Sequence, residues 1–340
     1  MRHGRGFTLI ELVVTCGVIS ILIALLLPAV SASREVGRRM ACMNNLRQLG
    51  LALSGYSSLN DYYPPINCDT DLVGKSSGRK PSAHIFSVFA RILPQLEQGS
   101  LHNTLNFSPV PDMPDGLHQN LTCMMQSVGL FLCPSDPQAS VNGYGRVNYR
   151  ANIGPTVRFA PSSSQPITYS GPTSSHRVYR AADFTDGLSN TVGISERVQG
   201  DWDPSAFTAK GDYLLLGVAH PVQEPPIQSI LSMCGSQSPS SDMESRGGES
   251  WFLSGYHFSN YNHITPPNST TKACTFDDSK EPLHARTIHS GNFPATSYHA
   301  GGVNVSAMDG SVHFVKDNVK LEVWKALATK NMNDSAYYEW

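Results

Sequence analysis

The sequence predicts an α+β protein: a long N-terminal helix, membrane-spanning in its first part, packed on a large, loop-rich antiparallel β body. Three observations point there. Residues Phe7 to Val30 form an apolar run with Glu11 as its one charge, and about 20 apolar residues suffice to cross a bilayer as a helix. Beyond it, Val36, Met40, Met43, Leu46, Leu49, Leu53 and Tyr56 recur at steps of three or four, the spacing of one helix face. From Asn60 onward, short apolar runs alternate with clusters of Gly, Pro, Ser and Asn, the punctuation of strands and turns.

Composition narrows the class. The chain has 340 residues, enough for about two domains of ordinary size. Its hydrophobic fraction of 40% argues against global disorder. A formal net charge of -2 leaves no basic footprint for nucleic acid, which is excluded as a main partner.

In chain order, residues 1–6 (Met-Arg-His-Gly-Arg-Gly) form a short basic leader without carboxylates. Residues 7–30 form the membrane span. A cleaved secretory signal has a shorter apolar core and a small-x-small cleavage site, and Ala29-Val30-Ser31 matches that site poorly. Residues 31–59 continue as an extracytoplasmic amphipathic helix whose inner stripe packs on the body, and Tyr63-Pro64-Pro65 ends it. Gly50 and Gly55 interrupt this helix and disfavour a free coiled coil. Residues 60–340 make a β-rich globular domain, with Ser162–Ser175 and Gly235–Gly248 as surface loops. Its clearest element is a C-terminal hairpin, 301–315, read as two strands about a two-residue Asp309-Gly310 type I′ turn, with Ala307 facing Val312, Ser306 facing His313 and Val305 facing Phe314. Val319–Thr329 then forms a short closing helix.

The N-terminus resembles the type IV prepilin signature. Gly6 and Phe7 stand before Thr-Leu-Ile-Glu11, a glutamate five residues into hydrophobic sequence. The resemblance implies that a membrane prepilin peptidase cuts after Gly6 on the cytoplasmic face and that Phe7 becomes an N-methylated terminus. A carboxylate inside an apolar span costs at least about 2.5 to 3.5 kcal/mol near the centre and persists where it finds a partner. In pilin-like assemblies the partner for the glutamate matching Glu11 is the terminal amine of a neighbouring subunit. Pro28 fits pilin helices, which carry a proline at that depth, and equally fits a simple kink at the membrane exit. Arg34, Arg38, Arg39 and Arg47 outnumber Arg2 and Arg5, so a bare count of basic residues puts the C-terminal side in the cytoplasm. The prepilin motif requires the reverse: a single-pass protein of the cytoplasmic (inner) membrane, leader cytoplasmic, body periplasmic or at the cell surface.

Of seven cysteines, Cys16 lies in the span, leaving Cys42, Cys68, Cys123, Cys133, Cys234 and Cys274 outside. Six allow 15 connectivities, among which sequence alone does not choose. No pair stands two residues apart, which disfavours a zinc ribbon. Further motifs resemble the prepilin-like family called domain of unknown function 1559: His299, nine residues, then Asp309-Gly310; Cys42–Gln48; Leu93–Gln98; Phe131–Asp136; Asn148-Tyr149; and Asp186–Thr191. The resemblance covers most of the chain. Its landmarks include Cys42 and Cys133, and from this we expect a disulfide tying the long helix to the body. The family's usual Gly-Gly-Glu tail is absent, because this chain ends in Lys330–Trp340, so no role of that tail transfers.

Catalytic patterns fail. There is no His-Glu-x-x-His or P-loop. Ser77 and Lys80 match Ser-x-x-Lys by chance in a polar stretch. Asp69–Gly74 begins like a calcium loop but has Val73 and Lys80 at ligand positions. Asp183, Asp186 and Asn190 offer oxygens suited to calcium and are also ordinary turn formers. His299 with Asp309 reads as turn and strand chemistry, with His299 ordering the start of the strand. Neither His257 with His263 nor His284 with His289 has a ligand spacing, and Trp202, Trp251, Trp324 and Trp340 read as packing residues before sugar platforms. The expectation is a non-enzyme without cofactor or metal. The leading function is a structural or assembly subunit, pseudopilin-like, whose partners are the prepilin peptidase, the membrane and copies or other pilin-like subunits through the N-terminal helix. The alternative is an anchored extracytoplasmic solute- or glycan-binding module that uses the prepilin route only for export.

Overall fold

The computed structural model describes residues 8–66, 86–107, 114–137, 145–157, 170–174, 177–218, 225–238, 243–276 and 290–333, with the side chains of 114–118 excepted. Gly6, Phe7, Cys68, Asp69–Gly74, Ser77, Lys80, His284, His289 and Trp340 lie outside them, as does most of Ser162–Ser175.

The first element is one continuous helix, α1, Leu9–Asn60. Thr8 caps it: its hydroxyl accepts from the Glu11 N–H (3.4 Å), while the Glu11 carboxylate accepts from the Thr8 N–H (2.9 Å) and hydroxyl (2.8 Å). This reciprocal capping box satisfies donors that a helix start leaves unpaired. Asp61 ends the helix in the left-handed conformation (φ 64°), its N–H donating to the Ser57 carbonyl (2.9 Å). Pro28 sits inside the helix, where the Ala24 carbonyl loses its backbone donor.

The two parts of α1 meet different surroundings. Every residue from Leu9 to Val30 is exposed, and the segment is long and apolar enough to cross a membrane. Cys42, Leu46, Leu49, Gly50, Ala52 and Leu53 are buried in the body. The fully buried part of the docking stripe begins at Cys42. Val36 and Met40, assigned to it by periodicity, are 63% and 59% exposed, because at that level the helix meets the body through Glu35 and through Arg39, which lies over the Phe314 ring, and not through the face that carries Val36 and Met40.

Short helices follow: α2 (Val88–Arg91), a 3₁₀ turn Leu93–Leu96, α3 (Gly99–Asn103) and α4 (Pro114–Met124). The body contains two sheets. The larger runs β5 (Asn260–Tyr261), β1 (Tyr149–Asn152), β2 (Val192–Glu196), β8 (Gly302–Ala307), β9 (Val312–Lys316). The smaller runs β4 (Met243–Glu244), β3 (Tyr213–Leu215), β6 (Cys274–Thr275), β7 (Gly291–Asn292). Most pairings are antiparallel, but β1 with β5 and β3 with β6 are parallel. Helix α5 (Ile227–Ser236) and strand β4 occupy parts of Gly235–Gly248, and Gly247 and Gly248 are buried, so that stretch is not the surface loop its composition suggests. Helix α6 (Leu321–Ala326) closes the chain's apolar face with Trp324.

Strand β8 is buried on both faces. Val303 and Val305 join Trp324, Val192 and Tyr261 in one core, and Ala307 is buried at the end of the same strand. Its other face, Asn304 and Ser306, lies beneath α1. The contact is closest at Gly50, where a Cβ would stand 2.2 Å from Ser306 Oγ and 2.8 Å from Gly310 Cα. Gly50 is thus a notch that admits the hairpin to the helix axis.

The hairpin departs from its expected register. Pairs are Val305 with His313, Ser306 with Val312 and Asn304 with Phe314, one residue off the two-residue-loop reading. A type I′ turn needs positive φ at both central residues, and only Gly310 has it (φ 86°). The Ala307 N–H donates to the Ser311 carbonyl (2.9 Å) and the Gly310 N–H to the Ala307 carbonyl (3.0 Å), which closes a three-residue loop with a glycine bulge. Met308 supplies the reason. It is buried, donates its N–H to the Thr191 carbonyl (2.9 Å), and is drawn into the loop from the strand.

Two predictions follow from packing. Gly50→Ala gains up to about 1 kcal/mol of helix propensity but overpacks the Ser306–Gly310 contact at about 1 to 3 kcal/mol. It should lower the unfolding midpoint in detergent. Gly37→Ala, where nothing lies within 4 Å, should raise it or leave it unchanged.

His263 is buried neutral. Its Nδ1–H donates to the Trp324 carbonyl (2.8 Å), its Nε2 accepts from the Tyr261 hydroxyl (2.8 Å), and its ring stacks on Trp324 at 3.7 Å. Burial pushes its pKa down to about 3. The unfolded chain then binds a proton that the fold refuses, so this contribution is complete above pH 6.5 and is lost below it at roughly 1.4 kcal/mol per pH unit. Urea unfolding between pH 4.5 and 7 should show that slope, and His263→Gln should remove its share.

Candidate functional site

The sequence motifs converge on the inner face of α1. Cys42 on α1 and Cys133, in the turn after the Gly129–Phe131 3₁₀ turn, form a disulfide across 91 residues, with Cα atoms 5.2 Å apart. A second joins Cys234 to Cys274; Cys16 and Cys123 are free thiols among the described residues. Beside the first bridge, Asn45 Nδ2 donates to the Leu132 carbonyl (3.0 Å) and the Tyr149 hydroxyl to the Cys42 carbonyl (3.4 Å). The Leu93–Leu96 turn packs on the same helix, with Gln95 facing Gly55.

His299 lies against the disulfide. Its Nδ1 is 3.1 Å from Glu35 Oε1 and its Nε2 is 3.3 Å from Glu196 Oε1 and 3.8 Å from Cys133 Sγ. Both ring nitrogens face carboxylates, so the imidazolium satisfies both as a donor. Burial opposes that charge, but the hydrogen bonds and charges of Glu196 and Glu35 outweigh it and raise the pKa. Glu196 is fixed in turn by Asn304, whose N–H donates to Oε2 (2.8 Å) and whose Nδ2 donates to Oε1 (2.9 Å). Glu35 also accepts from Ser135 Oγ (3.3 Å) and from Arg38 Nε (2.9 Å). Burial acts to raise its pKa, yet Arg38 and His299 hold it lower than usual.

His299 and Asp309 are not an acid-base pair. His299 meets α1 at Glu35, whereas Gly310 meets it at Gly50, a separation of about 22 Å along the helix at 1.5 Å per residue. Asp309 is a turn residue whose carboxylate accepts from the N–H (2.8 Å) and hydroxyl (2.6 Å) of Ser311. His299 does not order the strand start through its ring; the ring is committed to Glu35 and Glu196.

Next to the cluster is a small pocket bordered by Cys133, Asp136, Asn148, Glu196, Thr296 and Tyr298. Asn148 Oδ1 accepts from the Cys133 N–H (3.0 Å) and from Gln199 Nε2 (2.9 Å), and Asp136 accepts from the Gln199 N–H (2.9 Å). Burial raises the Asp136 pKa against those hydrogen bonds. Elsewhere, Asp186 accepts from the backbone N–H groups of Met332 (2.9 Å) and Asn333 (3.0 Å), while Asp183 caps a 3₁₀ turn through the Arg180 N–H (2.7 Å). These carboxylates clasp the chain, and the charges of both support the Lys330 ammonium against its burial. His257, buried, bridges Glu249 (2.9 Å) and the Tyr213 hydroxyl (2.5 Å).

Glu11 is hydrogen-bonded within its own helix start, as described above, and among the described residues no cation pairs with it. Sequence reasoning missed Glu35 and Glu196. Glu35 carried a weak signal, as the first carboxylate after the span amid arginines; Glu196 carried none, in a strand without motif.

Removing the first bridge by Cys42→Ser with Cys133→Ser should cost about 2 to 5 kcal/mol, read by denaturant unfolding. Non-reducing peptide mapping should recover both Cys42–Cys133 and Cys234–Cys274 peptides.

Residues 31–322 match a family model described as a protein of unknown function (DUF1559), and residues 1–27 match a prokaryotic N-terminal methylation motif. No curated protein and no solved structure matches the chain.

Proposed function

The chain belongs to the DUF1559 family and carries a prepilin-type N-terminal methylation motif, and from this we propose that it is a pseudopilin-like subunit, anchored in the cytoplasmic membrane, that assembles through α1. The prepilin motif makes it a processed, exported, prepilin-like protein. In this reading the leader is cytoplasmic and the body is periplasmic or at the cell surface. Its role is structural rather than catalytic.

One observation carries the reading: a fully exposed apolar helix start with a buried-type charge in it. Glu11 spends its hydrogen bonds on Thr8 and among the described residues has no cation opposite its charge, in a segment that is to sit in lipid. The terminal amine created at Phe7 of a neighbouring copy is the cation such a site lacks. Side-by-side packing of helices brings the two charges together and removes both from lipid, where a close pair interacts far more strongly than in water.

Mass spectrometry of membrane-extracted protein should find a mature N-methylated Phe7 terminus. Intact Met1, or a terminus near Ala32, would overturn the prepilin route. Glu11→Gln should leave anchoring and processing intact while reducing helix-to-helix cross-linking, through cysteines placed along Leu12–Ile23, by about tenfold or more. Cross-linking equal to wild type would favour the alternative, an anchored solute- or glycan-binding module.

A further inference from the structure

Cys42, Cys133, Glu196 and His299 each present a ligand atom, all within 4.8 Å of one another and all buried. We propose that, once the Cys42–Cys133 disulfide is reduced, these four side chains bind one zinc ion. The proposal is independent of how α1 assembles.

The donor set is that of tetrahedral zinc: two thiolates, one imidazole and one carboxylate. With bonds of about 2.0 to 2.3 Å, the edges of such a tetrahedron measure roughly 3.3 to 3.8 Å. Glu196 Oε1 to His299 Nε2 is already 3.3 Å, and His299 Nε2 to Cys133 Sγ is 3.8 Å. The sulfur-to-sulfur edge alone is too short, and reduction releases it. Supporting partners are also in place. A zinc-bound histidine ordinarily gives its other N–H to a carboxylate, and His299 Nδ1 faces Glu35 at 3.1 Å. Asn304 holds the Glu196 carboxylate through its N–H and side-chain amide. The pocket bordered by Cys133 and Glu196 lies directly beside the donor set.

The chemistry balances with a thiol reductant. Two equivalents of a small thiol, or one dithiol protein, take the oxidised place of the bridge: Cys42–S–S–Cys133 becomes two thiols and the reductant becomes a disulfide. Zinc then replaces the two thiol protons and the Nε2 proton of His299, which leave to solvent. Oxidation by a disulfide reverses the sequence, returning two electrons to the oxidant and expelling the ion. Either state ties α1 to the body, by a covalent bond or by a metal.

The other bridge is the internal control. Cys234 and Cys274 lie among Val157, Leu214, Ile230 and Ile264, and among the described residues they belong to no cluster of histidine and carboxylate ligands.

The test uses full-length protein in detergent, reduced with a phosphine and titrated with cobalt(II) as a spectroscopic stand-in for zinc. Expected are thiolate-to-cobalt charge-transfer and tetrahedral d–d absorption saturating at one equivalent. Affinity should fall by at least tenfold in His299→Ala and by about tenfold in Glu35→Gln, which removes no ligand. Because variants of a buried site risk misfolding, the wild type is also alkylated under reducing conditions with and without zinc. Zinc should protect Cys42 and Cys133 and leave Cys234 and Cys274 reactive. No tetrahedral cobalt spectrum, or equal labelling of all four cysteines with zinc present, would overturn the proposal.

Discussion

One continuous helix with two unlike surfaces governs this molecule. Of the 52 residues of α1, the first part presents an apolar surface all round and the later part a single stripe. A continuous helix passes tilt or rotation of one part to the other, so the body is held at a fixed attitude to the apolar segment only if the stripe is gripped at more than one level. The grips are chemically diverse: an ionic cluster at Glu35, a covalent bond at Cys42, hydrogen bonds at Asn45, apolar burial of Leu46, Leu49 and Leu53, and a glycine notch at Gly50.

That view gives the scattered family landmarks one physical meaning. Cys42–Gln48 lies on the helix, and Leu93–Gln98, Phe131–Asp136 and Asn148-Tyr149 each supply part of the wall it rests on. Asp186–Thr191 secures the chain after α6 through the Asp186 carboxylate and the Thr191 hydroxyl, which donates to the Thr329 carbonyl (3.0 Å). What unites these segments is contact with α1 or with the chain that follows α6.

The fold class, the long helix and the hairpin were legible because each rests on local rules: length of apolar sequence, helical period and turn residues. The failures have a common cause in tertiary contacts. Val36 and Met40 obey the helical period, yet the body meets that level of the helix through Glu35 and Arg39 instead. The Asp309-Gly310 turn obeys a two-residue rule until Met308, buried against Thr191, pulls one more residue into the loop. Gly50 looked like a helix breaker and is a close-contact surface. Glu196 is the limiting case, since nothing in its own neighbourhood distinguishes it from any strand glutamate; its significance arises only from the remote residues His299 and Asn304.

The nine residues between His299 and Asp309 acquire a different sense from this geometry. They act as a gauge, measuring the distance between two fixed stations on α1. In a strand, every inserted or deleted residue inverts the faces of all that follow. A single such change here would turn Val303, Val305 and Ala307 toward the helix and Asn304 and Ser306 toward Trp324, or else set Gly310 away from its seat on Gly50. The spacing is therefore a standard of length for the socket, and any chain that shares it is committed to seating its helix at the same depth.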